Sequence, residues 1–159
     1  MANYEKTLLY TYPKFSTVIS LLDGKFSSFV NRSRFGIEPA ETSLDNLMQV
    51  TTLITTLKTA KQIIKDAFLS FDENEKSLIE FKYFKRNFKR YVGYNSQTYD
   101  YRKFHEKILK KFRKFILSKG LTETWFNDNL MQFSFIREVF RRVNKMETEC
   151  ETDLVLVAN

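Results

Sequence analysis

His105 is the only histidine of the chain and Cys150 the only cysteine. A metal site needs three or four converging donors, and covalent catalysis needs a nucleophile with a base beside it. Neither arrangement is spelled out around His105 or Cys150. His105 follows Phe104 in a basic stretch and reads as a surface or backbone-contacting residue, whereas Cys150 reads as incidental in an acidic tail. No glycine-rich phosphate loop and no Gly-x-Ser-x-Gly elbow occurs. Asp72, Glu73 and Glu75 fit a helix start better than acid–base work, because carboxylates there cap amide groups and offset the helix dipole. We therefore expect no enzyme and no cofactor.

What the residue types do support is ionic recognition. Between Lys82 and Gly120 stand 13 Lys/Arg against only Asp100 and Glu106, a net of +11. The whole chain carries +7, so everything else sums to −4. Charge gathered this way attracts a polyanion, most commonly a nucleic-acid backbone. Phe84, Phe88, Tyr91, Tyr94, Tyr99, Tyr101, Phe104 and Phe112 are interleaved with the cations, so the segment is no simple disordered basic tail.

The elements that must position this charge follow from composition and spacing. With 159 residues, 43% hydrophobic content and sixteen Phe, the chain has ample material for one packed domain. Four Gly and two Pro favour long helices over a turn-rich sheet protein. We expect an all-α, single-domain bundle of about five or six helices. Residues 13–32 form the first, with Pro13 in its first turn. A second starts after Pro39 or Ser43 and runs to about 70. A third covers 73–88 behind an Asp72–Glu75 capping box. The fourth, 96–118, is capped by Asn95 or Ser96 and stopped by Gly120. Thr122 caps a fifth around Trp125 and Phe126, and a last helix covers 131–145. This divides the chain into a support or dimerisation region (1–70), a basic region with C-terminal helices (72–145) and a mobile acidic tail (146–159).

No apolar run approaches the roughly 20 residues needed to cross a bilayer, and the first residues lack a signal-peptide pattern. Together with the single cysteine, these features lead us to expect a cytoplasmic protein without membrane partners. A membrane-surface role for the basic amphipathic helix is disfavoured because its apolar face is needed for the core.

The run Asp72-Glu73-Asn74-Glu75-Lys76-Ser77-Leu78-Ile79-Glu80-Phe81-Lys82-Tyr83-Phe84 resembles the first half of a helix-turn-helix like that of sigma-factor region four. The pattern is an acidic cap followed by an apolar helix ending in Lys/Arg-Tyr-Phe. Asn95-Ser96-Gln97-Thr98-Tyr99-Asp100-Tyr101-Arg102-Lys103-Phe104-His105 is similar to the start of its recognition helix. Together they look like phage-type late-gene activators of the ArpU and RinA kind, over about a third of the chain. Two departures stand out. Lys85 to Tyr94 forms a basic, aromatic insert where the family has a short helix, and Gln97 occupies the place of an Arg. Either the motif is remodelled, or it has kept its fold and lost sequence-specific reading.

The resemblance implies a DNA-binding transcription regulator. Gln97, Thr98, Tyr101 and Arg102 would meet base edges in the major groove, with Gln suited to adenine and Arg to guanine. Lys85, Arg86, Lys89, Arg90, Lys103 and Lys107 would hold phosphates and set register. The farther Lys110, Lys111, Arg113 and Lys114 read as a solvated face. Tyr101 reads equally well as packing, and Thr98 as a helix-start residue. Double-stranded DNA is the expected partner, and a symmetric homodimer would suit paired half-sites. Two other readings stay open. One is a protein-binding module, such as an RNA-polymerase-associated factor or an inhibitor of a nucleic-acid-binding protein. The other is an RNA-binding helical protein whose Tyr91, Tyr94 and Tyr99 stack on unpaired bases.

Overall fold

In the computed structural model, which describes residues 3–84 and 99–157, the longest element starts well before the first expected one. Helix α1 spans Asn3–Arg34. Tyr4, Leu8, Phe15, Ile19 and Leu22 recur at helical spacing and are all buried, so the residues expected as a lead-in are core-forming. Thr7 and Thr11 are buried among them. Their hydroxyls donate to the carbonyls of Asn3 and Thr7 one turn back, at 2.8 and 2.7 Å, which satisfies them without water. Pro13 therefore lies inside the helix, not in its first turn. Its missing N–H removes one intrahelical bond, yet the burial on either side of it keeps the helix continuous.

Gly36 closes α1. At φ +66° it adopts the left-handed conformation open to glycine. The Ile37 and Gly36 amides return to the carbonyls of Arg32 and Ser33 at 2.9 and 3.2 Å, a Schellman cap. Helix α2, Ala40–Leu69, then packs back along α1. It starts after Pro39 with no side-chain cap, and Ser43 is buried inside it.

Asp72 caps α3, Glu73–Ile79, through the expected box. The Glu75 amide donates to Asp72 Oδ1 at 2.8 Å and the Asp72 amide to Glu75 Oε2 at 3.0 Å. The helix does not continue regularly to 88. It widens into a π-helical turn at Glu80–Phe84. Residues 85–88 lie outside the described residues, as do the expected caps Asn95 and Ser96.

Helix α4, Tyr99–Ser118, ends in a second Schellman cap at Gly120, φ +82°. The Leu121 amide reaches the Ile116 carbonyl at 3.0 Å, and both side chains are buried. Thr122 caps α5, Glu123–Asn129, by accepting from the Trp125 amide at 3.1 Å. Helix α6 runs Ser134–Val157, well past residue 145. Asn3 donates to Asn144 at 2.7 Å, and Lys6 pairs with Glu147. The second of these contacts ties Glu147, at the start of the region expected as a mobile tail, to the start of α1.

The result is all-α, with six α-helices, the π turn and no strand among the described residues. Helix α1 is central and touches α2, α4, α6 and the π turn. Phe68 joins three of these layers, with ring centroids 5.3 Å from Tyr12, 5.3 Å from Phe84 and 6.5 Å from Phe112. Such pairs add about 0.5–1.5 kcal/mol each beyond the area they bury.

Candidate nucleic-acid interface

Helix α4 divides cleanly into two faces. Tyr101, His105, Ile108, Leu109, Phe112 and Ile116 are buried at the i, i+4, i+7, i+8 spacing of a core stripe. Lys103, Lys107, Lys110 and Lys114 follow the same spacing on the opposite side, and all are exposed. At 1.5 Å rise per residue, this row is about 16 Å long. Its rigidity comes from the opposite face, whose side chains are locked in the core.

Other cations of the segment are engaged elsewhere. Lys111 pairs with the buried Glu75 at 2.7 Å and lies over the Phe71 ring. Arg113 Nε lies 3.0 Å from Glu5. Lys82 sits over the rings of Tyr83 and Tyr101 at 5.9 and 5.8 Å, and burial, then the neighbouring Lys6, pushes its pKa down. By contrast, Arg102, Lys107, Lys110 and Lys114 form no ion pair among the described residues. Lys111 and Arg113, nearest the core, have acids from α3 and α1, whereas Lys107, Lys110 and Lys114 of the outward row form no ion pair among the described residues.

Glu5 is fully buried, and among the described residues neither of its carboxylate oxygens accepts a hydrogen bond. Its contact with Arg113 is purely electrostatic. Burial raises its pKa, with Arg113 opposing that rise.

Two expected contacts are corrected. Tyr101, expected at a base edge, is only 7% exposed, and its ring stacks on His105. That position belongs to the buried stripe, so its phenol faces protein and not solvent. His105, expected at the surface, is 8% exposed. Its Nε2 is 2.7 Å from the Tyr83 hydroxyl. Burial, then Lys82 and Lys6, lowers the His105 pKa to about 3, so the imidazole is neutral at physiological pH and supplies no charge to a phosphate. Burial likewise keeps the Tyr10, Tyr83 and Tyr101 phenols protonated.

Arg102, Lys103 and Lys107 are exposed on α4 as expected. Gln97, Thr98, Lys85, Arg86, Lys89 and Arg90 lie outside the described residues. Lys110 and Lys114, read from sequence as a solvated face, extend the row begun by Lys103 and Lys107. Their 4–3–4 spacing was the signal that joins them. Among the described residues, no group of three or more His, Cys, Asp or Glu converges as a metal site, and no helix is long and apolar enough to cross a membrane. No protein-family model matches the chain, and no curated protein or solved structure matches it either.

Proposed function

We propose that the protein is a DNA-binding regulator of transcription that lays the outer face of α4 along a duplex. The observation that carries this reading is the row Lys103–Lys107–Lys110–Lys114, exposed and, at its last three positions, without acidic partners, on a helix whose other face is core. Duplex DNA presents one negative charge per about 1.7 Å of axis, so a rigid row of this length meets several phosphates at once. Lysine serves there as a point charge that tolerates any base sequence. Arg102, at the N-terminal end and beside the row, is the candidate for reading guanine. The preceding segment adds Lys85, Arg86, Lys89 and Arg90 as further phosphate ligands, with Gln97 and Thr98 as base readers, as the family resemblance implies.

The test is a duplex-binding titration across a salt series. Each phosphate contact contributes about 0.9 to the slope of log K against log salt. Replacing Lys107, Lys110 and Lys114 with Ala together should reduce that slope by about 2.7. An unchanged slope refutes the placement of these residues. Selection from a random duplex library then separates roles: Arg102→Ala should relax preference at one position, whereas Lys107→Ala should weaken all sequences evenly.

A further inference from the structure

Beyond Leu22, α1 contributes no buried residue up to its end at Arg34. The opposite stretch of α2, from Ala40 to Leu53, buries only Ser43 and Val50. These halves of α1 and α2 form a two-helix arm. Exposed large apolar side chains concentrate on it: Phe26, Val30, Phe35 at 73%, Ile37 at 71%, Leu44 and Met48. At exposures of 37–73%, these six together leave on the order of 600 Å² of apolar surface uncovered. That is the upper limit of what a monomer ordinarily exposes. It approaches the ~800 Å² per partner that a stable interface buries.

Two features point to a second copy of this chain as the occupant. The first is shape. The arm carries both a protrusion and a receptacle. Phe35 and Ile37 form its tip, and Met48, Thr52, Leu53 and Gln132 line a depression of about 360 Å³ at its base. From Leu22 to Arg34 the arm is about 18 Å long, so antiparallel arms bring each tip to the other's base. The second is charge. The base carries Asp23 and the tip carries Arg34, about three helical turns apart and so on one side of α1. Neither forms an ion pair among the described residues. Antiparallel arms set Arg34 of one copy beside Asp23 of the other, and the twofold axis repeats the pair. A surface made for a polyanion would carry one sign, whereas this one is self-complementary, as an interface with twofold symmetry requires.

We propose that the protein forms a twofold homodimer in which the arms pack antiparallel and Phe35 and Ile37 of each copy fill the basal depression of the other. Such a dimer places two α4 faces on one particle, the geometry that paired DNA half-sites demand.

The test is sedimentation equilibrium of the full chain without nucleic acid, up to about 100 µM, where micromolar dimers are saturated. The wild type should sediment at twice the chain mass. Phe35→Asp with Ile37→Asp should raise the dissociation constant more than tenfold, with an unchanged circular-dichroism spectrum at 25 °C showing that the fold is intact. Arg34→Glu and Asp23→Lys should each weaken the homodimer several-fold. A mixture of these two single variants should regain wild-type affinity as a heterodimer, because both crossed pairs are then restored. A monomeric wild type overturns the proposal, as does a dimer indifferent to the tip variants or a mixture that gains nothing. Nucleic acid is absent from this measurement. A dimer that ignores DNA therefore removes only the proposed function, and a DNA-binding monomer removes only the dimer.

Discussion

Lowering the pH should destabilise this protein through His105, by an amount that can be worked out. In the unfolded chain an imidazole titrates near 6.5. In the fold it is held to about 3 by burial, by Lys82 and by Lys6. Between these values the unfolded state binds a proton that the folded state refuses. Stability therefore rises with pH across this window and is lost as pH falls below about 6.5, at up to about 1.4 kcal/mol per pH unit. From pH 7.5 to 5 the loss from this one group is about 2 kcal/mol, a large part of an ordinary 5–15 kcal/mol stability.

Because the chain has a single histidine, the assay is unusually clean. The imidazole proton signal should not titrate between pH 8 and 5 in the folded protein. In urea it should titrate near 6.5. Urea unfolding curves at the two pH values should differ by about 2 kcal/mol more in the wild type than in His105→Gln, which keeps a polar partner for Tyr83 but cannot charge. A folded-state midpoint between 6 and 7 would refute the reasoning, as would equal pH dependence in both proteins.

The pair Glu5–Arg113 should respond asymmetrically. Arg113→Met strands a buried carboxylate and should cost about 1–2 kcal/mol at pH 7, the usual penalty reduced because Arg113 is half-exposed. Glu5→Gln removes the charge that burial penalises and should be neutral or stabilising by about 1 kcal/mol; equal losses in denaturant titrations would argue against this. Asp72→Ala should cost about 1 kcal/mol through the lost cap. Glu75→Ala should cost more in the same titration, since it also leaves Lys111 without its partner. Phe112→Ala should cost about 3–5 kcal/mol, whereas Lys114→Ala should stay within about 0.5 kcal/mol while weakening DNA; a large stability loss from Lys114→Ala would place that side chain in the packing.

Local signals were readable from the sequence where one residue type had one physical use. Asp72 with Glu75, Thr122 and Gly120 each mark a helix end by chemistry that a few neighbouring residues complete. The extents of α1 and α6 were not readable, because the reasons for them are remote. Glu147, past the expected end of α6, meets Lys6 some 140 positions away. Thr7 and Thr11 look polar in a pattern, yet their hydroxyls are satisfied by their own helix. His105 was misread by attention to its charged neighbours in sequence. Its spacing from Tyr101, Ile108 and Phe112 placed it on the core stripe all along. The same spacing rule, applied to the opposite face, would have joined Lys110 and Lys114 to Lys103 and Lys107.

These two readings of α4 depend on each other. A row of like charges on a flexible segment would spread apart and gain little from any one ligand geometry, because ordering it would cost conformational entropy at binding. Here that ordering is already complete in the free protein. Phe112, Ile108 and Ile116 hold the helix in the core, while Glu75 and Glu5 draw Lys111 and Arg113 inward. Acids therefore meet cations on the protein side of the helix, while Lys107, Lys110 and Lys114 on the outer side form no ion pair among the described residues. Had Glu75 and Glu5 instead stood at i±4 on α4 itself, they would have neutralised that row. Taking the counter-charges from α1 and α3 ties the helix into the fold and keeps its outer face cationic.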